Sequence, residues 1–255
     1  MGKVLSILNN KGGTGKTTTV LNLGAALSKE GRKVLMIDLD SQCNLSTSVG
    51  IRGATFHIGT YLLNQSSKEQ TIVPAEHYDF IPSSDNLLDF EMKINAEPGR
   101  EYILKESIEN LSEQYDFTLI DCPPSLGTIS INALVASDLY LVPMQAENFA
   151  FIGLDRILQV AEKVKKRMNA KLEMAGIVFV KMSHRTKFSQ AVMSNIENNE
   201  ELKKKVFKTI IRQDISLMES SAFSKNVYQY APKGRGAADY TSLAKEILKK
   251  YGKNK

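Results

Sequence analysis

The sequence predicts a doubly wound α/β fold: a mostly parallel sheet with helices on both faces. Three observations predict it. Apolar runs of strand length alternate along the chain with stretches of helical periodicity, the rhythm of βα units. Two of the runs are almost continuously apolar, as strands covered on both faces must be. A glycine-rich turn, Asn9 to Thr18, stands between the first apolar run and the first helical pattern, a strand–loop–helix junction suited to an anion.

Taken in order, Val4–Leu8 reads as the first strand and Thr17–Ser28 as the first helix. Val20, Leu23, Gly24 and Leu27 keep helical spacing there, and Gly31 ends the helix where a C-terminal glycine belongs. Lys33–Asp38 is the second strand. Residues 52–75 and 85–99 are the least regular and are expected to carry short helices around a strand at Phe80–Pro82. Helix Arg100–Glu113, strand Phe117–Asp121, helix Ile129–Ala136, strand Leu139–Pro143, helix Gly153–Met168, strand Ala175–Lys181 and helices Lys187–Asn198 and Ala237–Lys250 follow. The tail Tyr251–Lys255 is polar and expected to fray. No internal repeat or long linker intervenes, so residues 1–255 are expected to form one domain, and 255 residues is ample for a buried core.

Composition excludes little and permits the rest. Hydrophobic residues make up 42% and charged residues 24%, ordinary for a globule. The net charge of +5 permits contact with nucleic acid or an anionic surface without establishing it. The two cysteines, Cys43 and Cys122, form no metal-spaced pair and suit a reducing compartment; Cys122 is expected to be a small core residue. No apolar run approaches the roughly 20 residues that span a bilayer. The chain opens directly on a strand with no signal peptide, so a cytoplasmic location is expected.

The turn itself reads Asn9-Asn-Lys-Gly-Gly-Thr-Gly-Lys-Thr-Thr18. Glycines let backbone amides converge on phosphate oxygens where side chains would block approach. Lys16 can reach β/γ-phosphates, and the Thr17 hydroxyl can ligate Mg²⁺. The standard spacing is not met, because Asn10 replaces the first glycine and a second lysine, Lys11, stands five residues before Lys16. A lysine there has a use where a further phosphate charge must be met, in this subunit or across an interface. Two acidic strand ends follow. Val34-Leu-Met-Ile-Asp38-Leu-Asp40 ends in the crevice where α/β proteins bind ligands; Asp40 can hold or activate an attacking water, and Asp38 can support the Mg²⁺ shell. Phe117-Thr-Leu-Ile-Asp121 is a Walker B arrangement, with Asp121 opposite Thr17 and presented at a fixed turn by Pro123 and Pro124.

The form Lys-Gly-Gly-x-Gly-Lys-Thr-Thr resembles the deviant Walker A box of the ParA/MinD ATPases, a group with the P-loop NTPase fold. The run Asp121-Cys-Pro-Pro-Ser-Leu-Gly127, the loop Pro143-Met-Gln-Ala-Glu147 and the closing segment around Tyr230–Leu248 carry the resemblance over about residues 2 to 250. It implies that Lys11, Gly12, Gly13, Thr14, Gly15, Lys16, Thr17 and Thr18 bind ATP, with Mg²⁺ at Thr17, Asp38 and Asp121. It further implies that Lys11 enters the partner's nucleotide site in an ATP-held homodimer and that Asp40 is the hydrolytic carboxylate, beside Ser41 where the family has proline. The Pro143–Glu147 loop borders nucleotide and dimer face in that family. Arg212 aligns with a proline and Asp214 with an asparagine that line the adenosine; Arg212 can stack on adenine and Asp214 can accept from its amine.

The resemblance also implies non-specific binding of double-stranded DNA and a ParB-type partner that stimulates hydrolysis, with the protein on the nucleoid. The family's second arginine linked to DNA is Ser216 here. Basic clusters at Lys163–Lys171, at His184, Arg185 and Lys187, and at Lys203–Lys208 are candidates for phosphate contacts. Arg185, Lys187 and Lys208 are the leading ones, Arg185 because the family often has Arg-Thr at that position. A MinD-like membrane-positioning ATPase is the alternative. The sequence after the last helix has few bulky apolar residues, which disfavours bilayer insertion, and no stable membrane association is expected.

Overall fold

The structure, a computed structural model, describes residues 2–147, 150–182, 192, 194 and 199–252. Its strands are β1 (Lys3–Ile7), β2 (Val34–Asp38), β3 (Val73–Pro74), β4 (Asp79–Ile81), β5 (Phe117–Asp121), β6 (Leu139–Met144), β7 (Glu173–Met182) and β8 (Val206–Arg212). They join in one sheet of order β3-β4-β2-β5-β1-β6-β7-β8, parallel except for the β3–β4 pair. Strand β1 lies between β5 and β6, where the winding reverses direction. Its carboxyl end therefore opens on the crevice that α/β sheets offer to ligands.

The helices are α1 (Lys16–Lys29), α2 (Asn44–Ser48), α3 (Ile58–Leu62), α4 (Lys68–Thr71), α5 (Leu87–Ile94), α6 (Ile103–Ser112), α7 (Thr128–Ala136), α8 (Ala150–Arg167), α9 (Glu200–Lys203), α10 (Ile215–Ala222), α11 (Val227–Tyr230) and α12 (Arg235–Tyr251). They cover both faces, and alternation along the strands divides the core accordingly. Leu35 and Ile37 of β2 pack with α5 to α8, while Val34 and Met36 pack with α1 and α12. Each such side chain withdrawn from water contributes roughly 1.5–3 kcal/mol. Helix α1 lies close on the sheet because Gly24 has no side chain; a Cβ there would fall 2.5 Å from the Met36 sulfur.

Several expectations shift. The short helices expected within 52–75 and 85–99 are α3, α4 and α5. Strand β8 was not foreseen: its burial is broken by Lys208 and Thr209, so it lacks the continuous apolar run of an inner strand. It is an edge strand, and its outer amides are covered. The Glu246 carboxylate of α12 accepts from Lys208 N (3.1 Å), Thr209 N (2.7 Å) and the Thr209 hydroxyl. Glu246→Ala leaves these edge amides to water and is expected to lower stability by about 0.5–1.5 kcal/mol, checked by urea denaturation. The expected helix Lys187–Asn198 lies almost wholly outside the described residues, as does the tail beyond Gly252. No helix among the described residues is long and apolar enough to cross a membrane.

Candidate functional site

The phosphate-loop candidates sit at the carboxyl end of β1. Gly13 (φ 74°) and Gly15 (φ 78°) occupy the left-handed region, which glycine enters at little cost and residues with a side chain do not. Gly15 precedes α1 with no side-chain cap, so the first amides of the helix face the loop. None of the amides from Gly12 to Lys16 finds a protein acceptor among the described residues. A Cβ at Gly12 or Gly13 would meet no atom within 4 Å. Such a cradle of free donors over open space fits a polyphosphate. The loop is braced from outside: Asn9 Nδ2 donates to the Pro143 carbonyl (2.7 Å), and Asn9 Oδ1 accepts from Lys11 N (3.0 Å).

Lys16, Thr17, Asp40 and Asp121 gather at one point. Lys16 is 7% exposed and its Nζ lies 3.3 Å from the Lys11 carbonyl. Burial lowers its pKa, and the charges of Asp121 and Asp40 oppose that. Thr17 Oγ1 donates to Asp121 Oδ2 at 2.7 Å. Asp121 stands level with Ile7 and Asp38 on neighbouring strands. Its Oδ1 is buried without a partner among the described residues. Burial first, then the Asp38 charge, push its carboxyl well above the usual range, against the Thr17 hydroxyl and the Lys16 charge. An orphaned carboxylate oxygen beside a threonine hydroxyl fits Mg²⁺ with its water shell, which needs only one or two protein ligands. No cluster of three or more acidic, histidine or cysteine groups forms a separate metal cage among the described residues.

The same chemistry gives a stability test. Because the folded state raises the Asp121 pKa, it binds that proton more tightly than the unfolded chain does. Stability is therefore lost as pH rises and the carboxyl must ionise in place. Asp121→Asn removes that cost: without nucleotide and Mg²⁺ it is expected to melt higher than wild type at pH 7, by on the order of 1 kcal/mol or roughly 2–4 °C. The advantage should shrink at pH 5. Thermal melts at both pH values check it, and the variant should gain no further stability from Mg²⁺.

Asp38 differs from expectation. Its Oδ2 accepts from Ser46 N and Ser46 Oγ, both at 2.8 Å, and its Oδ1 accepts from Asp40 N at 3.0 Å. Burial raises its pKa to about 6 despite these bonds. Through these three bonds Asp38 anchors the Asp40 loop and α2. Asp40, 6% exposed, is oriented in turn by Gln42 N on its Oδ1 (3.0 Å). Lys11 does not join this group. It ion-pairs with Glu147, both side chains about half exposed, beside a cavity of about 440 Å³ lined by Asn10, Ile152 and Arg156 among others.

On the other side of Gly15 and Thr18 lies an apolar slot of about 160 Å³ walled by Val180, Ile211, Leu217 and Arg212. The Arg212 guanidinium is held by Asp239, with Nη2 2.6 Å from Oδ1 and Nε 3.0 Å from Oδ2. Asp214 also lines the slot, but its carboxylate is taken. It caps α10 through Ser216 N (3.0 Å) and accepts from Gly236 N (2.7 Å). Burial alone would raise its pKa, yet those two amides prevail and hold it low. Asp214 thus serves as a structural cap at the edge of the slot. The slot's apolar walls were missed in the sequence because they come from the ends of β7 and β8 and from α10, whose adjacency is a property of the fold. Of the DNA candidates, Arg185 and Lys187 lie outside the described residues, while Lys208 is exposed on β8. Lys165, Lys166 and Arg167 crowd the last turn of α8.

Comparison with known proteins adds a second line of observation. A family model described as an AAA domain matches residues 2–174. The chain is 37% identical over 251 residues to the sporulation initiation inhibitor protein Soj of Bacillus subtilis (strain 168), covering 97% of this chain and 98% of that one. It is 33% identical over 254 residues to the chromosome partitioning protein ParA of Myxococcus xanthus (strain DK1622), covering 98% and 89%. Among solved structures, cobyrinic acid a,c-diamide synthase from Mycobacterium smegmatis with bound ATP analogue and magnesium superposes with a TM-score of 0.87 at 30% identity, covering 98% of this chain and 95% of that one.

Proposed function

The chain belongs to the ParA/Soj family of chromosome-partitioning ATPases with the P-loop NTPase fold, and from that premise we propose that it hydrolyses ATP to ADP and phosphate in a Mg²⁺-dependent cycle that switches its grip on DNA. The observation that carries the reading is the Thr17–Asp121 contact beside buried Lys16, with the second Asp121 oxygen left unpartnered. The amides of Gly12 to Lys16 and the Lys16 ammonium would hold the phosphates. Thr17 and Asp121 would hold Mg²⁺, which supplies positive charge against the charge developing on the phosphates. Asp40, poised by Asp38 and Gln42, would orient the attacking water. The slot by Gly15 would take the adenine, with the Arg212 guanidinium as one wall.

In this reading residues 1–255 act as one domain, and ATP joins two copies. Lys11 leaves Glu147 and reaches the partner copy's phosphates. Pairing doubles the basic surface, so two weak, salt-sensitive backbone contacts act together on double-stranded DNA. Hydrolysis dissolves the pair and a ParB-type protein hastens it, with the ATP-bound form on the nucleoid. A MinD-like membrane role is not favoured. The apolar face of α12, with Ala237, Tyr240, Leu243 and Ile247, is already buried against the sheet and cannot also enter a bilayer.

The test is light scattering with and without a non-hydrolysable ATP analogue and Mg²⁺, paired with gel shifts on random-sequence DNA across a salt series. A dimer mass and tighter DNA binding only with nucleotide are expected; a monomer at saturating nucleotide would sink the proposal. Lys11→Ala is expected to keep nucleotide binding while losing the dimer and hydrolysis. Because the Lys11–Glu147 pair is exposed, monomer stability should change by less than about 1 kcal/mol, which separates the two effects.

A further inference from the structure

Two side chains far from the phosphate loop in sequence converge on a single atom of it. Gln145, just past β6, donates from Nε2 to the Gly13 carbonyl at 2.7 Å, and Lys181, near the end of β7, donates from Nζ to the same oxygen at 2.9 Å. Lys181 adopts the left-handed backbone conformation (φ 52°), which costs a side-chain-bearing residue roughly 1–2 kcal/mol. The pairing of β7 with β8 shifts register between Val180 and Met182, so Lys181 sits at a bulge that turns its side chain out of the ladder.

The carbonyl matters because of the peptide it belongs to. In a planar trans peptide the C=O of one residue and the N–H of the next point in opposite directions. Holding the Gly13 oxygen on Gln145 and Lys181 therefore holds the Thr14 N–H on the opposite side of the peptide, where it has no protein acceptor among the described residues. Gly13 puts little restraint of its own on this peptide, which is otherwise held only by the backbone preference of Thr14. Two donors, one just past β6 and one on β7, add a restraint from outside the loop, and hydrogen bonds on the oxygen polarise the same peptide, making its N–H a better donor. The Thr14 side chain is held as well, through Oγ1 to the Lys11 carbonyl (3.2 Å).

We infer that Gln145 and Lys181 are positioning residues that aim the Thr14 amide at a phosphate of the bound nucleotide. The inference rests on the ATPase reading above and deepens it. It makes the ends of β6 and β7 part of the phosphate site without direct contact with the reacting atoms.

The experiment is titration of MgADP into wild type, Gln145→Leu/Lys181→Met, Lys181→Arg and Lys16→Ala, by calorimetry. MgADP is chosen so that pairing of two copies does not enter. The double variant is expected to bind at least tenfold more weakly, with its ATPase defect falling chiefly on KM, and Lys181→Arg, which keeps a donor, should stay within threefold of wild type. Selective ¹⁵N-threonine labelling gives a readout that a general loss of packing would not produce. The Thr14 amide resonance should move in the double variant while the other threonine amides of the sheet core keep their positions. Should the double variant bind within twofold of wild type, or the Thr14 resonance stay put, the inference falls. If Lys16→Ala has meanwhile lost binding, the ATPase reading stands without it. If Lys16→Ala also binds as wild type does, both fall.

Discussion

Lys16→Ala is expected to abolish measurable nucleotide binding. Its ammonium is almost fully enclosed and faces the carboxylates of Asp121 and Asp40, whose charges favour its protonated form. Truncating it has two consequences of the same sign. The phosphates lose the only buried cation of the loop, and the acidic group left behind repels them. Removing one partner of a buried charged contact costs roughly 2–5 kcal/mol, about 30- to several-thousand-fold in affinity, before the repulsion is added. Calorimetric titration with MgADP checks it. Affinity within threefold of wild type would show that the loop amides alone hold the nucleotide.

Asp40→Ala separates binding from chemistry. Asp40 sits at the crevice with its backbone tied to Asp38 and its Oδ1 tied to Gln42, so it is held by the loop and not by the phosphate cradle. Removing the carboxylate is expected to leave MgATP affinity within a few-fold of wild type. Turnover should fall by about 10²–10⁴, the usual worth of a positioned acid–base group. With hydrolysis blocked, the ATP-bound pair should remain on DNA for as long as ATP is present, visible as a slow off-rate in surface-based binding. An Asp40→Ala protein that turns over normally removes the carboxylate from the mechanism.

Much of the site could be read in the chain because its parts are local. The Lys11–Thr18 turn, the acidic end of β2 and the Asp121-Cys-Pro-Pro turn each declare themselves within ten residues, since a phosphate loop needs its glycines, lysine and hydroxyl at fixed offsets. What was not legible depends on separations the chain does not announce. Whether Asp38 faces a metal or anchors a loop turns on Ser46 coming back to it from α2. The cap role of Asp214 turns on Gly236 meeting it from 22 residues away. The clamp on Gly13 spans 132 residues to Gln145 and 168 to Lys181. Arg212 was expected to stack on adenine, and only the approach of α12 shows its guanidinium paired with Asp239. The fold was legible wherever strands are apolar throughout. It was obscure at β8, where the outer position lets polar residues into the strand.

The two borders of the sheet limit how copies of this molecule can meet. On one side β3 is two residues long and includes Pro74, which brings no N–H to an incoming strand. On the other, the Glu246 carboxylate occupies the hydrogen-bonding groups of Lys208 and Thr209 that a visiting strand would seek. Growth by adding strand to strand, the route to open-ended fibres, is thus closed at both margins. Two copies of this molecule would therefore have to meet through surfaces other than the margins of the sheet.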